Sequence, residues 1–249
     1  MSFLSPDSRF MRGLESTTDA IWLTILMAVT SLPVVTLGAA VTAGHDAARR
    51  SIIGQGHVTS NYFRAFRSDF MKSTLLWLVF GPVAAAVVLV ALTVHTTLVY
   101  VPLFAVGILW LVGFEWVWAF QARFDNTVGG TLANAYVVGI SHIGATLAMI
   151  AMDVVYVAIV IASWVYLPQG LYLLFLLGYG TLVMLHTPIL ERVFMPYVRK
   201  AAEASGKDPD ATGPAAAEDA TREMTASDMD PMGSAEPAAG SPTPKKDAR

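Results

Sequence analysis

The 249-residue chain has no cysteine, which excludes disulfides, zinc–thiolate and iron–sulfur ligation, and thiol nucleophiles. Charge is also scarce: Asp, Glu, Lys and Arg make up 14% of the residues, where a soluble protein carries about a quarter. Catalytic signatures are missing as well. There is no H-E-x-x-H to hold a metal on a helix, no G-x-S-x-G elbow, and no G-x-x-x-x-G-K-[ST] loop to cradle a nucleotide. These absences point to a non-enzymatic protein with no catalytic residue, no metal and no cofactor. Nothing suggests a nucleic-acid partner.

What fills the chain instead is apolar: 55% of residues are hydrophobic and the mean hydropathy is +0.55. The first long apolar stretch, 20–44, contains no charged side chain and a single interruption at Ser31-Leu32-Pro33. As one helix it would be about 37 Å long, more than the roughly 30 Å of a hydrocarbon core. Pro33 lacks an amide proton and clashes with the preceding turn, so a helix break is expected there. Either the stretch crosses with a kink or it turns back at Pro33. Four further spans are expected at 74–95, 98–122, 143–166 and 171–190, and the two-residue link Thr96-Thr97 makes the second and third an antiparallel hairpin. Trp110, Trp116 and Trp118 suggest an aromatic layer near one membrane boundary, with Trp110 deeper. The fold expected is all-α: a polytopic helical membrane protein of about five transmembrane helices with interfacial amphipathic helices and a disordered tail.

Two flanking pieces differ in character. Residues 1–19 carry Phe10, Met11 and Leu14 on one side of a short helix and read as an interfacial segment. Two Arg against three acids make them a poor signal peptide. Residues 201–249 change to Ala, Pro, Gly, Ser and acidic residues; from 203 onward there are 10 Asp/Glu against 5 Lys/Arg, and disorder is expected. Between the first two spans, Ser60–Lys72 places Phe63, Phe66 and Phe70 on one stripe, with Arg64, Arg67 and Lys72 off it. That is a basic amphipathic helix suited to an anionic lipid surface or a partner protein. Arg123, Asp125 and Asn126 form a polar break of similar potential, with Asp or Asn positioned to cap the helix that follows. Lysine and arginine concentrate on the side that holds 45–73, 123–142 and the start of the tail, so that side, with the C-terminus, is expected to be cytoplasmic and the protein to be a multi-pass component of the cell membrane.

Three ionisable residues fall inside apolar spans: Glu115, Asp153 and His186. Each costs several kcal/mol there unless paired or hydrated, which makes each a candidate. A proton or cation pathway through Asp153 and Glu115 is one reading; a structural hydrogen bond between helices, with His186 merely packed, is the other.

Three blocks carry a resemblance. Residues 31–43, Ser-Leu-Pro-Val-Val-Thr-Leu-Gly-Ala-Ala-Val-Thr-Ala, residues 62–72, Tyr-Phe-Arg-Ala-Phe-Arg-Ser-Asp-Phe-Met-Lys, and Arg123-Phe124-Asp125-Asn126 resemble the YesL-like family of bacterial membrane proteins, a domain of unknown function numbered 624. The likeness extends over about 8–200. It implies a multi-span protein often encoded beside carbohydrate ABC transporter components, and it brings no catalytic residues. The function expected is therefore an accessory or regulatory partner of a carbohydrate uptake system, contacting its subunits through the basic elements. The alternative is a small transporter or channel acting alone, proton-coupled through Asp153.

Overall fold

The computed structural model describes residues 9–55, 57–94 and 96–204. Every regular element among them is helical: α1 (Arg9–Thr30), α2 (Leu37–Ile52), α3 (Val58–Ser68), α4 (Phe70–Thr93), α5 (Thr97–Arg123), α6 (Val128–Ser141), α7 (Ile143–Tyr166) and α8 (Gly170–Ala204), with one 3₁₀ turn at Val34–Thr36. Four of them, α4, α5, α7 and α8, are long and apolar enough to cross a membrane. The molecule is an all-α polytopic helical membrane protein.

The expected first span is not one helix. The chain leaves helical geometry between Thr30 and Leu37, and α2 then runs back along α1. Ser51 Oγ donates to Asp19 Oδ2 at 2.5 Å, and Tyr62 Oη lies 2.5 Å from Thr30 Oγ1 and 3.4 Å from the Ala40 carbonyl. Midway, Met27 packs on Gly44. Pairing 19 with 51, 27 with 44 and 30 with 40 defines an antiparallel hairpin. Pro33 explains the break: it cannot donate to the ladder, and Thr36 Oγ1 instead donates to the carbonyls of Thr30 at 2.5 Å and Pro33 at 2.7 Å. Leu32, Val34 and Val35 are exposed at the tip of this hairpin. A Cβ on Gly38 would lie 2.4 Å from the Ser73 carbonyl oxygen and 2.8 Å from Trp77 Cβ; only glycine lets α2 sit so close to α4.

The other expected spans, 74–95, 98–122, 143–166 and 171–190, fall on α4, α5, α7 and α8, although His95 lies outside the described residues. The last helix runs on well beyond 190 and departs from helical angles at Gly178. The bend there lets α1 approach: a Cβ on Gly180 would meet the Thr24 amide nitrogen at 2.6 Å, and Thr24 Oγ1 reaches the Leu177 carbonyl at 3.4 Å. The interfacial segment expected at 1–19 is continuous with α1 from Arg9. Residues 1–8, the side chains of Phe10, Met11 and Leu14, and the tail from 205 lie outside what is described.

Trp110, Trp116 and Trp118 of α5 are turned into the protein. Trp116 and Trp118 are fully buried, and Trp77, Phe80, Trp110, Phe114 and Trp118 pack as one aromatic group between α4 and α5. Two indole donors are used between elements, Trp110 Nε1 to the Phe80 carbonyl and Trp116 Nε1 to Thr146 Oγ1, both at 2.9 Å, whereas that of the buried Trp118 has no hydrogen-bond partner. A buried Trp usually finds such a partner.

Because α1 and α2 double back and four helices follow, the start of α1 and the end of α8 belong to the same end of the bundle. Epitopes fused at residue 2 and after residue 249 are expected to have the same accessibility in intact cells. Opposite accessibility would restore a fifth crossing.

Candidate functional site

The basic end of the bundle is built on charge held inside the protein. In α2, Asp46 is buried and accepts from Arg49 Nη2 at 2.7 Å and Arg50 Nε at 2.8 Å. These i,i+3 and i,i+4 pairs allow a helix carrying three charges to be packed on all sides. Arg123, at the end of α5, is buried too and pairs with Glu191 of α8 at 3.2 Å. Between them a cavity of about 20 Å³ is bordered by His45, Arg49, Arg123, Thr187 and Glu191, room for one water molecule. The sequence placed His45, Asp46, Arg49 and Arg50 in the basic segment 45–73 outside the spans and did not foresee their burial; the available signal was the Asp-x-x-Arg-Arg spacing.

The basic amphipathic segment is divided differently from the sequence expectation. α3 ends at Ser68, and Phe70 opens α4. The face that α3 buries is Val58, Asn61, Tyr62 and Ala65, with Phe66 stacked on Tyr62 at 6.2 Å. Phe63, Arg64 and Arg67 point outward. Lys72 is ion-paired with Asp125. Arg123 and Asn126 are buried and so are not surface contacts, and the cap of α6 is Thr127, whose hydroxyl accepts from the Gly130 amide at 3.1 Å. The candidate contact residues therefore divide into an exposed set on α3, Phe63, Arg64 and Arg67, a surface ion pair, Lys72 with Asp125, and the buried Arg123 and Asn126.

Deeper along the bundle, the three intramembrane candidates come together. Glu115 of α5, Asp153 of α7 and His186 of α8 each place a ligand atom within 4.8 Å of the other two. His186 Nδ1 is 3.9 Å from Glu115 Oε2, and His186 Nε2 is 3.6 Å from Asp153 Oδ1. The side chains of Glu115 and His186 are 5% and 3% exposed, that of Asp153 28%, so the cluster is closed on two sides and open along Asp153. Nε2 of His186 and Oδ1 of Asp153 are buried without a hydrogen-bond partner. Chemically the arrangement can bind, share or pass a positive charge. Among the described residues it contains no nucleophile activated by a base.

His45 lies between this cluster and the buried arginines. Burial, reinforced by the nearby His186, pushes its pKa down to about 3. The folded value is below the unfolded one of about 6.5, so the unfolded chain takes up the proton first and stability falls as pH drops through that window. Between pH 7 and pH 5 the loss from this group is at most about 2 kcal/mol. Thermal unfolding in detergent at the two pH values is expected to show a smaller pH effect for His45→Gln than for the unsubstituted protein.

No curated protein and no solved structure matches the chain. Residues 17–92, covering α2, α3 and most of α1 and α4, match the family model described as "Protein of unknown function, DUF624". The blocks at 31–43 and 62–72 fall inside that match, which is consistent with a YesL-like, DUF624 membrane domain.

Proposed function

We propose that this protein is a non-enzymatic accessory subunit of a carbohydrate ABC uptake system, engaging its partner at the basic end of the bundle. The observation that carries the reading is the outward face of α3. Phe63, 40% exposed, stands beside Arg64 and Arg67, whereas Arg49, Arg50 and Arg123 are engaged in buried ion pairs and Lys72 in a surface pair with Asp125. An exposed aromatic flanked by arginines is the composition of a contact surface. The carbohydrate link comes from the family resemblance.

The same reading makes the basic end cytoplasmic. Arg9 and Arg12 join the lysines and arginines of α2, α3, α5 and α8 at that end, and the α4–α5 and α7–α8 connections carry none. The positive-inside rule then directs both termini to the cytoplasm of a multi-pass cell-membrane protein. Purification from native membranes in mild detergent is expected to bring transporter subunits with the protein, and a Phe63→Ala, Arg64→Glu, Arg67→Glu variant to reduce their recovery at least tenfold. Recovery of none with the unsubstituted chain would overturn the proposal.

A second reading is favoured by the convergence of Glu115, Asp153 and His186: a small transporter or channel that moves protons or another cation on its own. All three residues lie beyond the matched stretch 17–92, so this activity would belong to this chain rather than to the shared domain. In proteoliposomes containing only this protein, a proton flux that falls tenfold with Asp153→Asn would support it, and a flux indifferent to that substitution would remove it.

A further inference from the structure

The facing atoms in the intramembrane cluster are an unusual pair. In the tautomer protonated on Nδ1, Nε2 of a neutral His186 presents a lone pair. What it faces, 3.6 Å away, is Asp153 Oδ1, another lone-pair atom, and neither has a hydrogen-bond partner. Two acceptors are held against one another by three helices, and only a positive species between them makes that arrangement favourable.

The spacing distinguishes which species. A proton shared between nitrogen and a carboxylate oxygen draws the heavy atoms to about 2.7–2.9 Å. Two ligands each about 2.0–2.1 Å from a tetrahedral ion stand roughly 3.4 Å apart, close to the 3.6 Å observed. Glu115 brings a third ligand atom, within 4.8 Å of those of the other two residues. Charge gives an independent reason: two carboxylates in a membrane interior are costly, and a dication neutralises both.

We propose that Glu115, Asp153 and His186 form a binding site for one divalent first-row transition-metal ion, of the zinc or manganese class, in the interior of the α5–α7–α8 bundle. One nitrogen and two carboxylate oxygens suit these borderline ions, and water would complete the coordination. The 28% exposure of the Asp153 side chain makes that residue the point of entry. The inference does not depend on the accessory reading, and it differs from proton transport in requiring a saturable metal complex.

The test uses the full chain, freed of any affinity tag, stripped with chelator in detergent, and titrated with zinc chloride or manganese chloride by calorimetry and by metal analysis after dialysis. One ion per chain is expected, together with a rise in thermal unfolding temperature on loading. Asp153→Asn and His186→Ala are each expected to weaken binding about a hundredfold, while His45→Gln leaves it unchanged. Should His186→Ala fail to fold, His186→Gln and Asp153→Asn carry the comparison. Binding of equal affinity in the unsubstituted and site-substituted chains would assign the metal to other groups, such as the acidic tail, and overturn the proposal. Absence of metal binding, with proton flux still sensitive to Asp153→Asn, would overturn it and leave the proton reading standing.

Discussion

The ion pair between the buried Arg123 of α5 and the partly exposed Glu191 of α8, at 3.2 Å, ties these two helices together near their basic ends. A buried arginine is costly without a partner, so the pair favours the register in which the two charges meet. Counting back from the pair, Glu115 is eight residues before Arg123 and His186 five before Glu191. At about 1.5 Å per residue both lie inside the same layer of the bundle. Phe194, one turn after Glu191, fills the space between Phe120, Phe124 and Trp116, so packing and charge impose the same register. α7 then brings Asp153 against His186.

This explains which parts of the molecule were legible in the sequence. Four of the spans are recorded by length and apolar composition, and so are Glu115, Asp153 and His186 as isolated ionisable groups within them. Their convergence is not recorded. A linear chain gives a residue's depth along a helix, but the direction its side chain takes depends on how three helices separated by 38 and 33 residues rotate against one another. Window hydropathy fails differently at 20–44. The stretch is long enough to cross, and apolar throughout, but the break at Pro33 and the small residues Gly38, Ala39, Ala40, Ala43 and Gly44 serve a hairpin whose second arm packs against α4 and α5.

The charged stretch after Gly44 misleads in the opposite sense. His45, Asp46, Arg49 and Arg50 have the composition of a loop, yet α2 continues through them and buries all four. Local pairing is what makes this possible. Asp46 is reached by both arginines without leaving the helix, so charge that would cost several kcal/mol alone is offset before the helix meets its neighbours. The aromatic residues follow the same logic of internal use. Those expected near a membrane boundary are turned into the protein, and only Phe63 of the α3 aromatics is turned outward.

Charge is thus treated in two ways along the bundle. At the basic end, arginines and carboxylates neutralise one another with side chains alone. In the Glu115–Asp153–His186 cluster, two acids meet one imidazole, and internal pairing leaves lone pairs facing each other at 3.6 Å. The electrostatic balance of this layer therefore depends on what positive species it holds. Between α7 and α8 lies an apolar groove of about 430 Å³, bordered by Met152, Val155, Tyr156 and Gly178. Gly178 is also where α8 bends and where α1 rests on it. The intramembrane cluster and the basic end are built on shared helices: α5 carries both Glu115 and Arg123, and α8 both His186 and Glu191, so the spacing between the two layers of charge is set by helix geometry rather than by a loop.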